Sequence, residues 1–163
     1  MRLDRHVGSV RGWPKNEFRG NLRVAHRKLR VGVLGGGSWG TTVAHLVTPR
    51  APTTLWARDA AVADEIDRNH TNERYLPGAK LAKALRATDD LAEVVAGADV
   101  LVIGVPSQGM RQTAREVSRH IRPWVPVISL AKGFETDSGL RMTQVIGEEL
   151  PGHPLGEIGR AHV

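Results

Sequence analysis

Arg30-Val-Gly-Val-Leu-Gly-Gly-Gly-Ser-Trp-Gly40 is the stretch whose reading decides the fold. Its first half is a short apolar run suited to a buried strand, and its second half satisfies G-x-G-x-x-G at Gly35, Gly37 and Gly40. Residues 38–47 then carry apolar side chains at helical spacing, so the glycines fall between a strand and a helix. Each glycine has a physical task in that setting. Gly35 makes a tight turn, Gly37 lets the backbone approach a pyrophosphate, and Gly40 lets the helix pack closely on the strand. A helix opening at Ser38 aims its unpaired N–H groups and the positive end of its dipole at the same point.

Outward from this turn, short apolar runs alternate with longer amphipathic ones. Strands are expected at 30–34, 53–57, 86–88, 98–105 and 125–130, with helices at 38–47, 60–69, 90–96, 108–121 and 140–150. Ala98-Asp-Val-Leu-Val-Ile-Gly-Val105 is apolar in successive positions, as a strand buried on both faces requires. Thr88 or Asp89 is the expected cap of the 90–96 helix, and Asp59 the expected cap of the 60–69 helix. Alternating strand and helix imply an α/β protein with a parallel sheet doubly wound by helices, the Rossmann type of architecture.

At the end of the second strand, about twenty residues beyond the glycines, an NAD-binding sheet places an acid for the ribose hydroxyls. This sequence has Trp56-Ala-Arg-Asp59 there. Arg58 suits a 2′-phosphate, which favours NADP or dual use; a solvated surface arginine is the alternative. Val105-Pro-Ser-Gln108 and Ser129-Leu-Ala-Lys-Gly133 close the fourth and fifth strands at the carboxyl edge, where open α/β sheets bind ligands. Pro106 ends strand pairing there, and Lys132 is either a phosphate ligand or a solvated loop residue.

The 163 residues suffice for one ordinary domain. The chain has no Cys, which excludes disulfides, thiolate catalysis and cysteine-ligated metals, and its seven His show no ligand spacing, so no metal is expected. The net charge of +6 suggests nucleic acid only until it is located. The first thirty residues hold nine Lys or Arg (Arg2, Arg5, Arg11, Lys15, Arg19, Arg23, Arg27, Lys28 and Arg30) against Asp4 and Glu17, a balance of +7, so the other 133 sum to −1. Basicity belongs to the leader, and neither nucleic acid nor membrane is expected as a partner of the folded part. Residues 1–28 lack sustained periodicity and are expected to be a disordered basic extension or the product of a start codon set too far upstream. No apolar run has the length of a membrane span or a secretory signal, which implies a cytoplasmic protein.

Six motifs in order, Val33-Leu-Gly-Gly-Gly-Ser-Trp-Gly-Thr41, Leu55-Trp-Ala-Arg-Asp59, Tyr75-Leu-Pro-Gly78, Ala87-Thr-Asp-Asp-Leu91, Val105-Pro-Ser107 and Ser129-Leu-Ala-Lys-Gly133, resemble the bacterial NAD(P)-dependent glycerol-3-phosphate dehydrogenases. The resemblance implies NAD or NADP as cofactor, and sn-glycerol 3-phosphate and dihydroxyacetone phosphate as small-molecule substrate and product. It implies that Ser38, Trp39, Arg58 and Tyr75 border the dinucleotide beside the glycines and Pro106. It also implies that Lys132 meets both cofactor and substrate phosphate, and that the longer enzyme is a homodimer. In that family an apolar strand and a helical substrate domain with the catalytic lysine follow. Residues 29–155 are therefore expected to be the dinucleotide-binding domain, with the helical domain missing and no catalytic residue in this chain. The ending Glu157-Ile-Gly-Arg-Ala-His-Val163 resembles the translation of a sequencing adapter, so 156–163 are expected to be an artefact tail. Two other readings stay open beside this one, a different hydroxy-acid dehydrogenase and a non-catalytic dinucleotide-binding module.

Overall fold

The computed structural model describes residues 28–158. The expected extension over 1–28 lies outside the described residues except for Lys28, as do the last five residues of the tail. Among the described residues six strands and five α-helices alternate: β1 (Val31–Leu34), α1 (Ser38–Val47), β2 (Thr53–Trp56), α2 (Ala60–Asp64), β3 (Arg86–Thr88), α3 (Leu91–Gly97), β4 (Val100–Ile103), α4 (Met110–Ser118), β5 (Val127–Ser129), α5 (Met142–Glu149) and β6 (Leu155–Glu157). All neighbouring strands are parallel, in the order β3-β2-β1-β4-β5-β6. The chain first builds outward from β1 to β3, then returns to β4 on the other side of β1. That reversal opens a crevice at the carboxyl ends of β1 and β4.

Register explains why the strands are apolar throughout. In β1, Val33 joins the core cluster that includes Ala44 of α1 and Val62 of α2, whereas its neighbour Leu34 joins the cluster that includes Val94 of α3 and Met110 of α4. Likewise Val102 of β4 faces the first cluster, and Leu101 and Ile103 the second. Both faces are covered, so no position on these strands is free to be polar. Each such Leu or Ile contributes about 1.5–3 kcal/mol by leaving water.

Three local expectations are corrected. The helix expected over 60–69 is α-helical only to Asp64 and continues as a π-helical turn over Glu65–Asn69, closed by His70 with φ of 53°. Asp67 in this turn accepts from Arg86 Nε at 2.8 Å and from the Ala87 amide at 3.0 Å, which fastens it to β3. The cap of α3 is neither Thr88 nor Asp89 but Asp90, whose carboxylate accepts from the Glu93 amide at 3.1 Å. Thr88 instead turns its hydroxyl to the Asp90 amide. A short 3₁₀ turn over Ser107–Gly109 precedes α4, so the helix expected from 108 starts at Met110. Leu155, Gly156 and Glu157 form β6, which pairs with β5. The Val127 amide bonds the Pro154 carbonyl at 2.9 Å and the Ile158 amide the Ser129 carbonyl at 3.0 Å, and the Thr143 hydroxyl of α5 donates to Glu157 at 3.5 Å, so backbone pairing with β5 and contact with α5 hold this strand.

The loop after β5 is held by charge. Arg111 of α4 makes a fork of two 2.8 Å bonds to Glu135, and its Nη1 lies 2.8 Å from Glu149 of α5. This bidentate contact, with the Ser138 hydroxyl, holds the Glu135 carboxyl down from the usual 4.5 to about 2.

Candidate functional site: a cleft at the strand crossover

At the reversal point, the turn after β1, the end of β2 and the ends of β4 and β5 enclose a cleft of about 760 Å³. That is the size of a small-molecule or cofactor site. Gly35, Gly37, Ser38, Trp39, Arg58, Tyr75 and Pro106, all singled out in the sequence, line this one cleft. Gly40 is buried and is not part of its wall. Lys132 is exposed one residue past Ala131, which lines the cleft, and is not itself part of its wall.

The three motif glycines are small for different reasons. Gly35 has φ of 123°, a conformation foreign to side-chain-bearing residues, and a β-carbon there would lie 2.7 Å from the Gly104 carbonyl oxygen. A β-carbon on Gly40 would land on the carbonyl oxygen of Gly35. These two glycines are demanded by the crossing of β1, β4 and α1. Gly37 is not: its φ of −75° suits any residue, and beyond its chain neighbours no atom stands within 4 Å of where its β-carbon would be. Gly37 also occupies the N-cap of α1, where no side chain caps the helix and no acid sits in the first turn. The amides of that turn therefore face the cleft end of the helix without a protein acceptor of the usual kind.

On the β2 side, Asp59 caps α2 as expected, its Oδ1 accepting from the Ala61 amide at 3.0 Å. Arg58 is exposed, with its guanidinium carbon 6.0 Å from the centre of the Trp56 ring, the outer limit of a cation–π contact. Trp56 is itself held by a 3.0 Å bond from its ring N–H to the Asp89 carbonyl.

Sequence reasoning missed the residue that ties the cleft together. Asn72 is fully buried, and its Nδ2 donates at 2.9 Å both to the Gly36 carbonyl and to the Thr41 hydroxyl. It thus links the glycine turn, α1 and the segment bearing Tyr75. Ser38 adds a second tie, its hydroxyl donating to the Tyr75 carbonyl at 3.0 Å. A short Asn between Thr71 and Glu73 reads as a surface turn former, so no signal in the sequence distinguishes it.

A parallel sheet wound on both faces, with a glycine-rich strand-to-helix turn at its crossover, defines the Rossmann class of nucleotide-binding fold. Within that class the chain belongs to the family described as NAD-dependent glycerol-3-phosphate dehydrogenase N-terminus, whose model matches residues 30–160. It is similar to a glycerol-3-phosphate dehydrogenase (NAD(P)+) of Sphingopyxis alaskensis, 61% identical over 129 residues, covering 79% of this chain and 39% of that protein. A Mycobacterium avium relative of the same description is 52% identical over 131 residues, covering 80% of this chain and 38% of the relative. Among solved structures, the glycerol-3-phosphate dehydrogenase of Coxiella burnetii superimposes with a TM-score of 0.72 at 28% identity, over 78% of this chain and 39% of that one. The chain thus spans about two fifths of the length of these relatives. Among the described residues no helix is long and apolar enough to cross a membrane.

Proposed function

We propose that this chain is the NAD(P)-binding part of an enzyme that interconverts sn-glycerol 3-phosphate and dihydroxyacetone phosphate. The observation that carries the cofactor half is Gly37. Its neighbours Gly35 and Gly40 are explained by protein packing, whereas the empty space before Gly37, at an uncapped helix N-terminus, suits the approach of a pyrophosphate. Gly35, Gly37, Ser38, Trp39, Tyr75 and Pro106 would border the dinucleotide, with Gly40 setting the approach of α1. Arg58 would meet the adenosine end, so NADP is accepted as well as NAD. When bound, the nicotinamide supplies the hydride donor or acceptor. Lys132, exposed on the loop beyond β5, would meet the cofactor and draw the substrate phosphate by charge.

The far end of the cleft is lined by Gly104, Val105, Pro106, Leu130 and Ala131. None of these five side chains carries a titratable group, so a proton acceptor for the substrate hydroxyl would come from residues other than these. Names of the relatives carry the substrate half. Joining this chain at Leu155 to the remainder of the Sphingopyxis alaskensis protein tests it: the chimera should oxidise NADPH with dihydroxyacetone phosphate. A folded chimera that reduces a different keto compound in preference would overturn the substrate assignment.

A further inference from the structure

The rim of the cleft beside Arg58 holds a second cation, Arg74. It stands in the segment that Asn72 and Ser38 tie to the glycine turn, and two bonds to Glu65 brace the same segment from below: the Thr71 hydroxyl at 2.9 Å and the Glu73 amide at 2.8 Å. From this braced position Arg74 Nη1 reaches Asp59 Oδ2 at 3.3 Å, and its guanidinium carbon stands 5.3 Å from the centre of the Tyr75 ring. Asp59 and Tyr75 both line the cleft.

Asp59 makes this contact consequential. An acid next to Arg58 opposes a phosphate by charge and favours free ribose hydroxyls, which are neutral and can donate hydrogen bonds to it. Here both its oxygens are engaged, Oδ1 by the Ala61 amide and Oδ2 by Arg74. With Arg58, Asp59 and Arg74 together the rim carries one net positive charge, and without Arg74 it carries none. We propose that Arg74 determines cofactor choice: by occupying Asp59 and adding its own charge, it turns this rim toward a dinucleotide with a phosphate on the adenosine ribose. The proposal rests on the cleft taking a nicotinamide dinucleotide. Because an exposed ion pair of this kind adds little to stability, the substitution tests recognition and not folding.

The 163-residue chain, Arg74→Ala, and Asp59→Asn/Arg74→Ala are titrated with NADPH and with NADH by quenching of tryptophan fluorescence. Asn replaces Asp well as a helix cap, so the double variant keeps α2. Arg74→Ala should lower the ratio of NADPH to NADH affinity about fivefold, the effect of one unit charge a few ångströms away in water. The double variant should recover most of that ratio, since the rim again carries one net positive charge. An unchanged ratio in Arg74→Ala, or one that Asp59→Asn fails to raise, overturns the proposal. Failure of the unsubstituted chain to bind either cofactor would instead overturn the dinucleotide reading beneath it.

Discussion

The carbonyl oxygen of Gly35 occupies the space that a side chain on Gly40 would need. Contact between a turn and the first turn of a helix is thereby part of the fold, and the first prediction follows from it. Gly40→Ala pushes α1 off β1 through backbone atoms that cannot rotate away, so it should destabilise the chain by roughly 3 kcal/mol or more, at the severe end for single substitutions. Urea unfolding followed by circular dichroism measures this. A change under about 1 kcal/mol would show that α1 shifts freely over β1.

Arg58 gives a prediction about recognition. Its guanidinium stands exposed at the cleft over the Trp56 ring, so Arg58→Ala should leave folding intact and weaken NADPH by about 1.5–3 kcal/mol, the range for a charge-assisted hydrogen bond. NADH should change little. Isothermal titration with both cofactors decides it, and equal weakening of the two removes Arg58 from the 2′ position.

Asn72 gives one about the rim. Asn72→Asp replaces the donor to the Gly36 carbonyl with an acceptor in a fully buried place, so two oxygens would face each other. A loss of about 2 kcal/mol or more in stability is expected, from an unmade buried bond and a charge moved out of water. Thermal unfolding at neutral pH checks it, and an unchanged midpoint would mean that the link between Asn72 and the glycine turn does not hold in solution.

The loop that carries Lys132 should respond to acid. Arg111 holds the Glu135 carboxyl at about 2, below its usual 4.5. A depressed carboxyl contributes its stabilisation above the unfolded value and loses it as pH falls through the folded one. The difference in melting temperature between the native chain and Glu135→Gln should therefore be constant from pH 7 to about 5 and shrink toward pH 2. A difference that grows in acid would contradict the Arg111 contact.

Much of this was legible in residue order because the physics is local. Val31–Leu34, the glycines and α1 follow from a change of hydrophobic period at one turn, and Arg58 and Tyr75 from motifs with fixed offsets. Elements set by distant partners were not. Leu155–Glu157 has no alternation and exists as a strand through backbone bonds to β5 and contact with α5. The cap of α3 shifted to Asp90 because Thr88 is spent in pairing β3 with β2 and in bonding the Asp90 amide. Asn72 and Arg74 depend on a π-helical turn, Glu65–Asn69, that aims the following segment at the glycine loop, and neither hydrophobic spacing nor a turn signature encodes that aim.

The central claim, that the space before Gly37 is kept for a dinucleotide, is tested by Gly37→Val. Beyond the residue itself and its chain neighbours no atom stands within 4 Å of the new β-carbon, and φ is −75°, so the variant should fold with an unchanged circular dichroism spectrum. Titration of the native chain and Gly37→Val with NADH and NADPH, read by tryptophan fluorescence, should show both cofactors weakened by at least about tenfold, or about 1.4 kcal/mol. A folded Gly37→Val chain that binds both cofactors as tightly as the native one would contradict the account.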